Sequence, residues 1–129
     1  MAEPVICLDT NYLILGLVPG SREGAHLRTW IAEGTPLVAP TVVWFEFLCG
    51  PVSSRQVETM RAFLHDIVPF GESHARLAAE WFNEAGRRRS TRVDAMIAAT
   101  AMVADAPLAT NNAADFEPFA ASGLRFAPS

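Results

Sequence analysis

Val5-Ile6-Cys7-Leu8-Asp9-Thr10-Asn11 is an apolar run of four residues that stops at three polar ones. A run of this kind reads as a buried strand that feeds a loop and a helix start, with Asp9 standing at the strand's C-terminal end. Downstream, Leu27, Trp30 and Ile31 recur at helical spacing between Ser21 and the Gly34 stop, and Leu37 to Ala39 makes a second short strand. Pro40 and Thr41 open a helix over Val42 to Leu48 that is apolar all round except at Glu46, which predicts that it is largely buried. Ser53 with Gln56 forms a capping-box pattern ahead of an apolar stripe through Val57, Met60, Phe63, Leu64 and Ile67, and a third strand is expected near Ile67 to Phe70.

The second half continues the alternation. Leu77, Ala78, Trp81, Phe82 and Ala85 define an amphipathic helix that closes at Gly86, followed by the basic loop Arg87 to Arg89. Thr91, with Asp94 three residues on, resembles a capping box for a helix from Arg92 to about Ala104, whose alanines permit close approach to a sheet. Pro107 to Thr110 reads as the fourth strand, Asn111 to Asp115 as loop, Phe116 to Ala120 as one helical turn and Leu124 to Ala127 as a fifth strand. Strands alternating with helices predict an α/β fold. The expected architecture is a three-layer α/β/α sandwich around a mainly parallel sheet of about five strands, with its ligand site outside the carboxyl ends of those strands.

Bulk composition sets the outer bounds. A chain of 129 residues, 50% hydrophobic and 19% charged, has the size of one globular domain spanning residues 1–129. Its longest uncharged stretches, Thr35 to Phe45 and Ala95 to Ala104, fall short of the roughly 18 apolar residues a membrane helix needs. No membrane association and a cytoplasmic location are expected, because the N-terminus shows no basic region and no long apolar segment before a cleavage site. Cys7 and Cys49 belong to no metal-binding spacing and read as reduced, packed thiols. A net charge of −4 argues against a protein that coats nucleic acid by charge alone, but an enzyme that holds cations is exempt. All ten basic residues counted as Lys or Arg are arginine.

Four acidic positions carry the chemistry: Asp9 after the first strand, Glu46 in an apolar helix, Asp94 at a helix start and Asp115 after the fourth strand. Each has a bland reading. Asp9 caps a helix, Asp94 favours a helix N-terminus, Glu46 is one solvated edge, and Asp115 is a polar loop residue. Together they suit a hard cation such as Mg²⁺ or Mn²⁺, which prefers carboxylate oxygens, and an α/β sheet can gather distant segments at one edge. A site of this kind activates water and polarises a phosphodiester without a Ser or His nucleophile. His26, His65 and His74 are scattered and read as surface residues.

At this point Leu8-Asp9-Thr10-Asn11-Tyr12-Leu13, Trp44-Phe45-Glu46-Phe47-Leu48-Cys49-Gly50, Val93-Asp94-Ala95-Met96-Ile97-Ala98-Ala99-Thr100-Ala101 and Leu108-Ala109-Thr110-Asn111-Asn112-Ala113-Ala114-Asp115-Phe116 together resemble the PIN-domain family, above all the VapC toxins. The resemblance implies that Asp9, Glu46 and Asp94 bind Mg²⁺ or Mn²⁺ and position the attacking water. The fourth acidic place falls on Asn112 or Asp115, since family members differ there. Thr10, Asn11, Thr110 and Asn112 would orient the carboxylates. Arg87, Arg88, Arg89 and Arg92 would flank the metal edge and hold RNA phosphates. It also implies a metal-dependent endoribonuclease toxin, a VapB-like antitoxin partner and a homodimer, with Leu13 to Val18 and the Val57 to Leu64 stripe as candidate contact surfaces.

Rival readings lose on particular residues. A receiver-like phosphoacceptor and a P-loop enzyme each need a lysine, and a haloacid-dehalogenase-like phosphatase needs an Asp where Asn11 stands. The competing reading that keeps the fold is a catalytically inactive PIN-fold binding module.

Overall fold

The structure is a computed structural model that describes residues 4–128; the outermost residues of the expected domain, 1–3 and 129, lie outside it. Every residue of strand β1 (Ile6–Leu8) and strand β2 (Leu37–Pro40) is buried. Side chains alternate across a strand, so burial of consecutive residues means that both faces of the sheet are covered. Helices α1 (Thr10–Gly16) and α2 (Arg22–Ala32) lie between these strands; helices α3 (Thr41–Cys49) and α4 (Ser54–Phe63) follow β2 and lead to strand β3 (Asp66–Val68). Helix α5 (Glu72–Glu84), a 3₁₀ turn (Arg89–Thr91), helix α6 (Arg92–Val103), strand β4 (Leu108–Ala109) and helix α7 (Ala113–Ala120) complete the order.

The sheet is parallel throughout, in the order β3-β2-β1-β4. It has four strands rather than about five. Leu124 to Ala127 contributes a single parallel bridge, Phe126 to Leu108, because Pro107 and the two-residue β4 leave only the Leu108 amide and carbonyl to pair with it. Successive strands step outward from β1 through β2 to β3, whereas β4 returns to the other side of β1. That reversal is the topological switch point at which such sheets open a crevice beyond their strand ends.

Two local expectations need correction. Helix α3 is not largely buried: Val43 and Phe47 are, but Phe45 is 64% exposed and Leu48 44% exposed. Its apolar residues on two faces serve a core on one side and leave a bare surface on the other. Thr91 makes no cap bond to α6, since its hydroxyl donates to the Arg88 carbonyl at 2.7 Å and thereby closes the preceding 3₁₀ turn. The Ser53 and Gln56 capping box, by contrast, forms on both sides, at 3.1 and 2.8 Å. Alanines 95, 98, 99 and 101 of α6 are almost wholly buried, which lets this helix sit close against α3, α5 and β2.

α1 and α2 also meet closely, at two glycines. A Cβ on Gly24 would stand 2.9 Å from the Gly16 carbonyl oxygen and 3.0 Å from Ser21 Oγ, which caps α2. In an exposed helix Gly→Ala stabilises by about 1 kcal/mol, but overpacking against fixed backbone costs about 1–3 kcal/mol. Gly24→Ala should therefore lower the unfolding free energy by about 1 kcal/mol in urea titrations; a stabilised variant would show that the helices part without cost.

Candidate active site

Asp9 is set in place by the β ladder. Its amide donates to the Ala109 carbonyl at 3.0 Å, one step beyond the last paired residues of β1 and β4, and the chain then turns into α1 with Asp9 as N-cap. The residue is only 6% exposed. Oδ1 accepts from the Thr10 amide at 2.7 Å and Oδ2 from the Thr110 hydroxyl at 2.7 Å. Hydrogen bonds to a charged group are worth about 1.5–3 kcal/mol each, yet the group's pKa still lies above the ordinary aspartate value. Burial raises it, the bonds from Thr110 and Thr10 lower it, and Glu46 and Asp115 raise it again, so desolvation and like charge win.

The other acids arrive from separate elements. Half-buried Glu46 projects from α3 and accepts from the Thr10 hydroxyl at 2.7 Å, so α1 and α3 are tied together beside Asp9. Asp94 lies in the first turn of α6, where burial first, and then Asp9, Asp115 and Glu46, push its carboxyl up to about 6. Asp115 is not in a loop as expected. Helix α7 begins at Ala113, directly after the three-residue loop that follows β4, and places Asp115 in its first turn. Asp94 and Asp115 line one cavity of about 640 Å³ with Arg88, Ser90 and Thr91. The four expected carboxylates thus come together from β1, α3, α6 and α7 at the switch point.

The loop between β4 and α7 completes the edge. The Asn112 amide donates to the Thr110 hydroxyl oxygen at 3.0 Å, and the Asn11 side chain donates to Asn111 Oδ1 at 3.2 Å. Asn112 itself is exposed and makes no side-chain cap bond to α7. The arginine group, in contrast, divides. Arg88 lines the acidic cavity, Arg87 lies over the Phe82 ring and donates to Asn83, Arg89 is exposed, and Arg92 borders a separate apolar cleft with Phe70, Phe82 and Met96.

His65 is exposed, but His26 is half-buried, stacked on Tyr12 and tilted against Trp30, with Nδ1 2.8 Å from the Tyr12 hydroxyl. Its α2 spacing to Trp30 was visible; its tertiary partner Tyr12 was not. Cys49 is exposed rather than packed, while Cys7 is buried, and burial with nearby Asp9 pushes its thiol up. Glu23, 6% exposed, also escaped sequence reasoning, because an acid near a helix N-terminus has a sufficient local explanation.

Among the described residues, no three His, Cys, Asp or Glu side chains converge tightly enough to grip an ion as they stand. The donor chemistry nevertheless suits one: four carboxylates supply hard oxygens, and Asp94 carries the electrostatic cost of sharing this edge with three like charges.

An open parallel α/β sheet with acids gathered at its switch point defines a class of small site-bearing domains. The chain belongs to the PIN domain family, whose profile matches residues 6–120. No curated protein matches it. Among solved structures, FitAcB from Neisseria gonorrhoeae is similar, with a TM-score of 0.72, 24% identity and coverage of 96% of this chain and 98% of that one. A toxin–antitoxin complex from Klebsiella pneumoniae gives 0.67 and 27%, covering 86% and 89%. VapC20 of Mycobacterium tuberculosis, a sarcin-ricin loop cleaving toxin, gives 0.63 and 18%, covering 96% and 99%.

The Asp94 shift has a stability consequence with a definite sign. The folded-state pKa exceeds the ordinary aspartate value of 3.8, so the folded protein binds more protons between about pH 4 and 6, and stability falls as pH rises through that window. A rise of this size corresponds to at most about 3 kcal/mol, reduced to about 1–2 kcal/mol by solvent at this half-buried group. Metal-free Asp94→Asn should gain that much on wild type between pH 4.5 and 7.5 in chemical unfolding. A pH-independent gap between the two proteins would refute the raised Asp94 carboxyl.

Proposed function

We propose that this chain is a Mg²⁺- or Mn²⁺-dependent endoribonuclease and the toxin of a toxin–antitoxin pair, acting in the cytoplasm. The observation that carries this reading is the gathering of Asp9, Glu46, Asp94 and Asp115 at the switch point, with Asp94 raised by burial and then by its acidic neighbours. PIN family membership and the likeness to toxin–antitoxin structures support it. No helix among the described residues is long and apolar enough to cross a membrane.

Asp9, Glu46 and Asp94 would hold the cation. When bound, it would lower the pKa of a coordinated water and stabilise charge developing on the phosphodiester oxygens. The chain's own residues do the rest. Thr110 and the Thr10 amide fix both oxygens of Asp9, and the Thr10 hydroxyl fixes Glu46. Asn11 and Asn112 hold the loop that sets these contacts. Asp115, which lines the cavity beside Asp94, orients the attacking water, and Arg88 in the same lining holds a substrate phosphate. Arg89 is a peripheral phosphate contact, and Arg87 and Arg92 are engaged with Phe82 and the apolar cleft.

Purified protein should cut a structured RNA pool only with Mg²⁺ or Mn²⁺. Asp9→Asn and Asp94→Asn should lose more than about a hundredfold in rate, in line with the several kcal/mol such a cation supplies. Arg88→Ala should weaken RNA binding and flatten its salt dependence by about one phosphate contact, whereas Arg92→Ala should not. Wild-type protein that takes up no metal would instead leave a PIN-fold binding module.

A VapB-like antitoxin and a second copy of this chain are the proposed protein partners. Ile14 on α1, Val18 in the turn after it, and Phe45 and Leu48 on α3 are exposed, and α1 packs against α3, so the bare apolar surface spans both helices. Sedimentation of wild type should show a dimer that Phe45→Glu converts to monomer; an unchanged dimer would move the interface elsewhere.

A further inference from the structure

Glu23 occupies the second position of α2, where a glutamate has an open path to solvent, yet its side chain turns inward and the residue is 6% exposed. Burying a carboxylate is costly unless donors and charge compensate it. The compensation here lies partly outside its own helix. Asn111 Nδ2 donates to Glu23 Oε2 at 3.1 Å, across 88 residues of chain. The same Asn111 accepts from Asn11 Nδ2 through its Oδ1, at 3.2 Å. One planar amide therefore has both its donor and its acceptor engaged, and its orientation is determined by its two neighbours.

Asn111 lies between Thr110, which bonds Asp9, and Asn112, whose amide bonds Thr110. The loop is thus tied on one side to the acidic edge and on the other to α2. We propose that Glu23 is a positioning residue of the acidic site: through Asn111 it fixes the β4–α7 loop, and so the Thr110 hydroxyl that orients Asp9. This rests on the nuclease reading for its consequence in catalysis, but not for its mechanical content. A carboxylate suits the task because its own main-chain amide, and then Asn111, Arg22 and His26, favour its ionised form against burial. An ionised acceptor binds the Asn111 amide about twice as strongly as a neutral one. Glu23 hydrogen-bonds Asn111 and none of the four acids at the switch point.

The test compares wild type, Glu23→Ala, Glu23→Gln, Asn111→Ala and the double variant Glu23→Ala/Asn111→Ala. Amide hydrogen exchange over residues 110–112 is read first in metal-free protein, where no catalytic assumption enters. Glu23→Ala should speed exchange there while α5 and β2 keep wild-type protection, and Glu23→Gln, which retains an acceptor, should fall between Glu23→Ala and wild type. Mn²⁺ affinity by calorimetry and RNA cleavage are read next. Outer groups that orient metal ligands typically account for tenfold to a hundredfold, so Glu23→Ala should lose about tenfold in Mn²⁺ affinity or kcat with little change in KM. The double variant should be no worse than the poorer single one, because both break the same link. Wild-type exchange in Glu23→Ala, a Gln variant as impaired as Ala, or additive losses would each overturn the proposal. Faster loop exchange in Glu23→Ala in a protein whose wild type binds no Mn²⁺ would uphold the mechanical link and defeat only the nuclease reading.

Discussion

The structure depends on one costly placement: a carboxylate, Asp9, desolvated at the point where β1 ends and α1 begins. Everything adjacent answers that cost. The ladder bond to Ala109 fixes the backbone, the first amide of α1 meets one oxygen, and Thr110 from the far end of the chain meets the other. These bonds are strong, but they do not return the group to its ordinary acidity. Both bonds leave the acid electrostatically undercompensated, and that is the ground for the proposed cation beside it.

The remaining acids deepen the same imbalance by routes that differ in their packing. Glu46 reaches the edge because α3 buries Val43 and Phe47 and turns its intermediate side toward Thr10. Asp94 reaches it because α6 is lined with alanine, so the helix approaches its neighbours closely enough to carry its first turn to the cavity. Replacing those alanines with larger residues would move a charge as well as a core. In this fold, helix packing and site electrostatics are one constraint.

Much of this was legible in the residues and some was not. Val5 to Leu8 ending at Asp9 announces a buried strand with an acid at its tip because apolar continuity and an abrupt stop are local signals; the alternating elements after it then imply a parallel sheet. The fifth strand failed because Leu124 to Ala127 has strand-like composition but meets only a two-residue β4. Helix α3 failed in burial, since an apolar circumference describes what a helix offers and not what covers it. The four acids could each be singled out by residue type, while the division of the four arginines could not, because adjacent residues in a turn point to different surfaces. Glu23 and Asn111 gave no sign, their pairing being wholly a matter of which segments the fold brings together.

That last failure separates two kinds of information. Residues that carry charge to the reacting edge must be of one chemical type, and type is visible in a sequence. Residues that hold those charges in place need only to be near, and nearness belongs to topology. The β4–α7 loop illustrates the distinction: Thr110, Asn111 and Asn112 are ordinary turn residues by composition. They acquire their roles because β4 lies beside β1 rather than beyond β3, which sets Thr110 against Asp9 and Asn111 between Asn11 and Glu23. The switch in strand order therefore does more than open a crevice. It supplies the polar partners without which a carboxylate this deeply buried would lose its fixed geometry.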